Sequence, residues 1–266
     1  MAKYGIYEKA LLPDNLQDSL NFAKEAGYEY WEISVDKDRK DRLSWSNETI
    51  VSLLELCKKN SMPIFNMVLS IHRDFPLGSK EESIRMQGIE YLKQAIVLAG
   101  KLNIRTIQLA GYYTSGTGKD DGSIELYIES LKKCVNVAAE RGILLGIENM
   151  DRDLIDSKDI LYIVKKVDNP YLKMFLDVGN FAANNLNVIE QLQIGLPHLV
   201  GLHLKETRLG EYRRVLFGQG IVDFSTIFKF LSQENYDGYF GVEMWNDNNS
   251  DSLSIVKSSL EWLISK

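Results

Sequence analysis

Apolar positions along the chain keep changing period. Short runs rich in β-branched and aromatic residues are each followed by a longer stretch whose apolar residues recur every three or four positions. The runs are YGIY (4–7), YEYWEIS (28–34), PIFNMVLS (63–70), IRTIQLA (104–110), ILLGIEN (143–149), LKMFLD (172–177), LVGLHLK (199–205) and GYFGVEMW (238–245). The segments between and after them predict helices: LQDSLNFAKEAG, NETIVSLLELCKKN, KEESIRMQGIEYLKQAIVLAGKL, SIELYIESLKKCVNVAAERG, SKDILYIVKK, VIEQLQIG, FSTIFKFLSQEN and SDSLSIVKSSLEWLIS. Several close on Gly, Asn or Lys, as helix ends do. Eight β–α pairs without a Pro/Gly-rich linker predict a single (β/α)8 barrel over residues 1–266, an α/β fold. A doubly wound open sheet is the alternative, but it ordinarily uses fewer strands. No G-x-G-x-x-G or Walker loop follows the first strand.

Composition narrows the partner class. With 45% hydrophobic and 26% charged residues, the chain suits a globular unit with a large core. A net charge of −6 with no long basic block argues against nucleic acid. The opening MAKYGIYEKALL lacks the apolar centre of a signal peptide, and no stretch is long enough to span a membrane. Cys57 and Cys134 fall in separate helical patterns without metal-type spacing, and read as reduced thiols of a cytoplasmic protein.

His203 changes the picture. It interrupts an otherwise apolar run, LVGLHLK, and is one of three histidines in the chain. Alone it would read as a satisfied core residue. In a (β/α)8 barrel, however, functional side chains gather at the carboxyl ends of the strands. There stand Glu148 on the fifth strand, Asp177 on the sixth and Glu243 on the eighth. Three carboxylates at one mouth repel one another unless a cation lies among them. Three carboxylate oxygens and one imidazole nitrogen suit one divalent ion: zinc or manganese first, then cobalt or magnesium. The competing reading is an ion-pair cluster with Lys205 or Arg208.

Taken together, GIYEKAL, LSIHRDFPLGS, IQLAGY, IENMD, LDVGN, HLKET, FGQGIVDF and VEMW resemble the L-xylulose 5-phosphate 3-epimerases. This family, also described as L-ribulose 5-phosphate 3-epimerases or hexulose-6-phosphate isomerases, has xylose-isomerase-like barrels and acts in the breakdown of L-ascorbate and related sugars. The resemblance runs from Gly5 to about Trp262. It implies that Glu148, Asp177, His203 and Glu243 hold the metal, that Glu148 and Glu243 also serve as acid and base, and that the protein is a homodimer. The implied reaction takes a proton from C3 of a ketose phosphate and returns it on the other face. Such an inversion requires an acid/base group on each side of the sugar. Glu148 and Glu243, on strands five and eight, can face one another across the mouth. Relatives acting on unphosphorylated sugars, the D-tagatose-type 3-epimerases, carry a substrate-binding histidine three residues after the aspartate. Asn180 stands there, which favours a sugar-phosphate substrate.

For the phosphate, PLGSKEES opens the third helix with Ser79 and Glu82 at capping-box spacing, and a helix N-terminus offers free N–H groups. His72 and Arg73 precede it, and Lys9 lies in the loop after strand one. The resemblance implies phosphate binding by that loop and a short helix near strand three. Expected contacts to the substrate and its phosphate are therefore Lys9, His72, Arg73, Gly78, Ser79, Gln108, Asn180 and Lys205. Glu32 is expected either to touch a sugar hydroxyl or to pair with a lysine; Trp245 reads as a pocket wall, Asp223 as a helix N-cap and His198 as structural. Three other readings compete: an epimerase or isomerase of a free ketose, a non-catalytic sugar-binding barrel, and a DNA-repair endonuclease. The last would want more rim histidines and a basic surface.

Overall fold

The computed structural model describes residues 3–11, 15–115, 122–245 and 251–266. Eight parallel strands close into a barrel in chain order: β1 (Lys3–Tyr7), β2 (Tyr30–Val35), β3 (Ile64–Leu69), β4 (Thr106–Ala110), β5 (Leu144–Glu148), β6 (Leu172–Asp177), β7 (Leu199–Leu204) and β8 (Tyr239–Val242). Closure comes from β1 pairing with β8, Gly5 opposite Gly241. Around the barrel lie α1 (Leu16–Glu25), α2 (Asn47–Asn60), α3 (Glu82–Lys101), α4 (Ile124–Ala139), α5 (Ser157–Val167), α6 (Val178–Ala183), α7 (Val188–Gly195), α8 (Phe224–Gln233) and α9 (Ser252–Ile264). Ser250, the expected start of the last helix, lies outside the described residues.

Alternation along the strands explains the architecture. One parity, including Ile33, Met67, Leu69, Ile107, Leu109, Leu145, Ile147, Met174, Leu176 and Leu202, is apolar and fully buried. These side chains join the apolar faces of the helices in one continuous core. Each such burial contributes about 1.5–3 kcal/mol. The other parity faces the barrel axis, where Phe175 takes the room left by two glycines. A Cβ on Gly146 would stand 2.8 Å from Phe175 Cβ, and one on Gly201 would stand 2.5 Å from its Cε2.

Two local expectations change. The LDVGN segment turns directly into the short helix α6, capped by Asp177, whose side chain accepts from Asn180 N. Two helices therefore link β6 to β7. Ser79 is not the cap of α3: the N-cap is Glu81, without a side-chain bond, and Ser79 Oγ instead accepts from Glu81 N at 3.1 Å. Asp223 does cap α8, accepting from Thr226 N at 3.0 Å.

Candidate active site

The carboxyl ends of β5 to β8 converge. One donor atom each from Glu148, Asp177, His203 and Glu243 lies within 4.8 Å of the other three, and all four residues are buried. The alternation just described is responsible. Asp177 pairs with His203 across β6–β7, and Gly241 pairs with His203 across β7–β8, so Glu243 is two positions further along on the same face.

Each member is held. Glu148 Oε1 lies 2.5 Å from His203 Nδ1, while its Oε2 accepts from the Gln108 amide. Asn149 clamps Asp177 through the backbone: its Nδ2 donates to Asp177 O at 2.9 Å and its Oδ1 accepts from Asp177 N at 2.8 Å. His203 Nδ1 is also 3.3 Å from Glu243 Oε2, and its Nε2 is 2.9 Å from Glu32 Oε2. The Phe175 ring stands edge-on to the imidazole, centroids 4.7 Å apart.

Electrostatics separate the two catalytic candidates. Burial raises the Glu148 carboxyl above its usual range, although His203 opposes this. Burial also pushes Glu243 up, but Lys205 and His203 together outweigh it and hold that group well below the carboxylate range. Asp177 is raised well above its ordinary value by burial, against the pull of Lys205. Burial lowers His203, yet Glu148 and Glu32 leave it well above an ordinary imidazole.

The ion-pair reading is realised in part. Lys205 Nζ lies 2.7 Å from Asp177 Oδ2 and 3.1 Å from Glu243 Oε2. Arg208 takes no part, pairing instead with Glu211 at 3.3 Å. Even so, Glu32, Glu148, Asp177 and Glu243 are buried here against two bases, Lys205 and His203. Counted as ionised, the form in which a metal would hold them, the carboxylates outnumber the bases, and a divalent cation would offset their charge. Size agrees as well as charge. Ligands about 2.0–2.2 Å from one ion stand at most about 4.4 Å apart, close to the spread observed. The donor set fits a divalent metal.

Above the cluster opens a cavity of about 260 Å³ whose lining includes Tyr7, Lys9, Arg73, Gln108, Arg213 and Trp245. Lys9 is steadied by Asp36 at 2.5 Å. The Arg73 guanidinium lies 5.2 Å from the centroid of Tyr112, and that of Arg213 lies 4.7 Å from the centroid of Trp245. The same cavity reaches Glu148 and Glu243.

Of the expected contact residues, Lys9, Arg73 and Gln108 reach this mouth, and Lys205 lies within the acid cluster. His72, Gly78, Ser79 and Asn180 do not line the cavity. His72 is fully buried, and because a carbonyl only accepts, its Nε2–H donates to Gly88 O at 3.2 Å. Gly78 is packed against the next loop, its carbonyl accepting from Ser123 N at 2.8 Å. Ser79 is sealed in with its hydroxyl on Glu81 N. The Asn180 amide donates to Asn149 O at 2.8 Å. Among the described residues Glu32 neither pairs with a lysine nor lines the mouth; its partner is His203. Arg213 was missed: it sits in the long loop after β7, where no periodicity marks which side chains turn inward.

Comparison with known proteins agrees with this geometry. Residues 20–266 match the model of the xylose isomerase-like TIM barrel family. SgbU of Haemophilus influenzae is 37% identical over 276 residues, covering 98% of this chain and 95% of its own. The L-ribulose-5-phosphate 3-epimerase UlaE of Escherichia coli is 35% identical over 263 residues, covering 97% and 93%. The crystal structure of the 3-keto-D-glucoside 4-epimerase YcjR of Escherichia coli superposes with a TM-score of 0.82 at 19% identity, covering 100% of both chains, a likeness of fold. The chain belongs to the xylose isomerase-like TIM barrel family and, within it, to the L-ribulose-5-phosphate 3-epimerases, a family of isomerases.

Proposed function

We propose that the protein is a divalent-metal-dependent 3-epimerase of a ketopentose 5-phosphate, interconverting L-xylulose 5-phosphate and L-ribulose 5-phosphate. The observation that carries this reading is the pairing of Glu148 and Glu243 about one imidazole nitrogen, at 2.5 and 3.3 Å, beside a cavity with a cationic rim. Kinship with UlaE supports the substrate.

Glu148, Asp177, His203 and Glu243 would hold the ion, for which manganese or zinc suits the donor set and cobalt or magnesium is also acceptable. Bound there, it would supply Lewis-acid polarisation of the ketose beside the reacting carbon. The protein's own residues do the rest. Glu148 and Glu243 exchange the C3 proton from opposite faces, one removing it while the other returns one. Gln108 fixes the Glu148 carboxylate, and Lys205 keeps Glu243 ionised. Lys9 and Arg73, with Arg213, receive the phosphate, and Trp245 walls the cavity.

A cytoplasmic homodimer completes the reading. The buried free thiols Cys57 and Cys134 suit a reducing compartment, and no helix among the described residues is long and apolar enough to cross a membrane. The dimer follows from the family resemblance. The decisive experiment is deuterium incorporation at C3 of L-xylulose 5-phosphate and L-ribulose 5-phosphate in D2O with added Mn2+ or Zn2+. Exchange into both is expected. Its absence from both would return the sugar-binding reading, and equal exchange into the unphosphorylated ketoses would remove the phosphate from the substrate.

A further inference from the structure

Glu32 occupies an unusual place. It is wholly buried near the barrel axis, where a carboxylate costs several kcal/mol unless it is paired and hydrogen-bonded. Its Oε2 has one partner, His203 Nε2, at 2.9 Å, and its Oε1 is buried without a hydrogen-bond partner among the described residues. The barrel makes room for this pair. A Cβ on Gly241 would stand 2.5 Å from Glu32 Oε1 and 2.9 Å from His203 Cδ2, so β8 carries the side-chain-free residue where the two meet. The other ring nitrogen of the same imidazole points at Glu148 and Glu243. Glu32 does not line the mouth cavity.

We propose that Glu32 is the positioning residue of the metal centre: by accepting the Nε2–H of His203 it fixes the ring and keeps Nδ1 aimed, as the ligating atom, into the cluster of Glu148, Asp177 and Glu243. A histidine that ligates a metal through one nitrogen characteristically gives its other N–H to a carboxylate or carbonyl, which sets the tautomer and strengthens the ligand. Among the described residues Glu32 is the partner of that nitrogen. Strand parity brings Glu32, three strands from His203 around the ring, to that nitrogen. The proposal rests on the metal reading of the site.

The test is titration of wild type, Glu32→Gln and Glu32→Ala with Mn2+ and with Zn2+ against a chromophoric chelator, each variant checked for a cooperative thermal transition. Glutamine keeps the volume and an acceptor but loses the charge, so metal affinity is expected to fall about 10-fold, and up to about 100-fold in the alanine variant. Deuterium exchange at C3 is expected to recover in Glu32→Gln at saturating Mn2+, since the residue acts through the ligand and not on the sugar. Affinities within twofold of wild type in both variants would overturn the proposal, and so would exchange that stays depressed when Glu32→Gln is saturated with metal. If the alanine variant does not fold, the isosteric glutamine variant decides alone. Wild type that binds neither ion saturably would overturn the metal reading itself, a different result from variants that bind as wild type does.

Discussion

The two ends of the barrel are built from the same strands and the same alternation, yet they bury opposite things. At the amino-terminal end a cavity of about 830 Å³ is lined by Tyr30, Ile64, Phe65, Leu144, Val200 and Tyr239, with Lys3, Glu29 and Arg105 at its edge. Its aromatic side chains satisfy one another: Phe65 stacks on Tyr239, centroids 3.4 Å apart, and the Tyr30 hydroxyl donates to Phe240 O at 2.6 Å. The carboxyl-terminal mouth offers about 260 Å³ but stands over four buried carboxylates, a histidine and a lysine. Volume points to the wrong end. Buried charge is the better guide, because it costs stability that folding alone would not tolerate. One end closes the barrel, and on the proposed function the other reacts.

Substitutions at the two ends should therefore fail in opposite ways, the largest effect coming at the mouth. Glu148→Gln and Glu243→Gln are each expected to cut C3 proton exchange about 1,000-fold, as loss of an acid/base group does. Glu148→Gln removes a carboxyl whose charge burial disfavours, so its thermal melting should hold or rise, whereas Glu243→Gln breaks the buried pair with Lys205 and should melt lower. At the other end Tyr30→Ala is expected to cost about 3–5 kcal/mol in urea denaturation through the cavity it opens. Activity per folded molecule should stay within about twofold. Tyr30→Phe, which loses only the bond to the Phe240 carbonyl, should cost about 1 kcal/mol. A Tyr30 variant that folds well but exchanges slowly would show that the two ends are coupled and would break the contrast.

How much of this could be read beforehand follows from where each signal lives. Strand parity is a property of single segments, so Glu148, Asp177, His203 and Glu243 could be placed on one rim before any coordinate was known. The same logic reached Gln108, which does hold Glu148. It stopped short at Glu32, whose inward parity was visible but whose partner lies 171 residues away. The phosphate side was legible only in part, because loops have no period. SIHRDFPLGS offered His72, Arg73, Gly78 and Ser79 together. A short 3-10 turn over Ser70–Arg73 sends His72 into the core and Arg73 to the mouth. Asn180 was placed by analogy with another branch, and the tight turn from β6 into α6 folds its amide back on Asn149.

His72 makes the next contrast, within that turn. Burial lowers its imidazole from the ordinary 6.5 to about 4. Above pH 6.5 the ring is neutral folded or unfolded, and nothing is lost. As pH falls through that value, the unfolded chain takes up a proton that the folded ring refuses, so stability drops until the folded group titrates near 4. By pH 4.5 this linkage removes on the order of 2–3 kcal/mol. His72→Asn should lose that share of the acid sensitivity, read as a smaller difference between urea midpoints at pH 7 and pH 4.5 than in wild type. An unchanged difference would mean that His72 is not sealed as described.

Arg73 tests the outward half of the same turn and gives the smallest effect. It is partly exposed and lies beside the Tyr112 ring, so its charge is screened by solvent. A charged hydrogen bond to a phosphate in such a place contributes on the order of 1.5 kcal/mol. Arg73→Ala is accordingly expected to raise KM for the ketose phosphate about tenfold, leaving kcat and the slow turnover of the free ketose unchanged. Arg213→Ala, at the more open side of the mouth, should raise it about threefold on the same scale. Both effects should shrink with added salt, because the attraction is between charges near water. If KM rises equally for phosphorylated and free sugar, the two arginines shape the cavity instead of reading the phosphate. The cationic rim would then belong with the aromatic end, as part of what holds the barrel together.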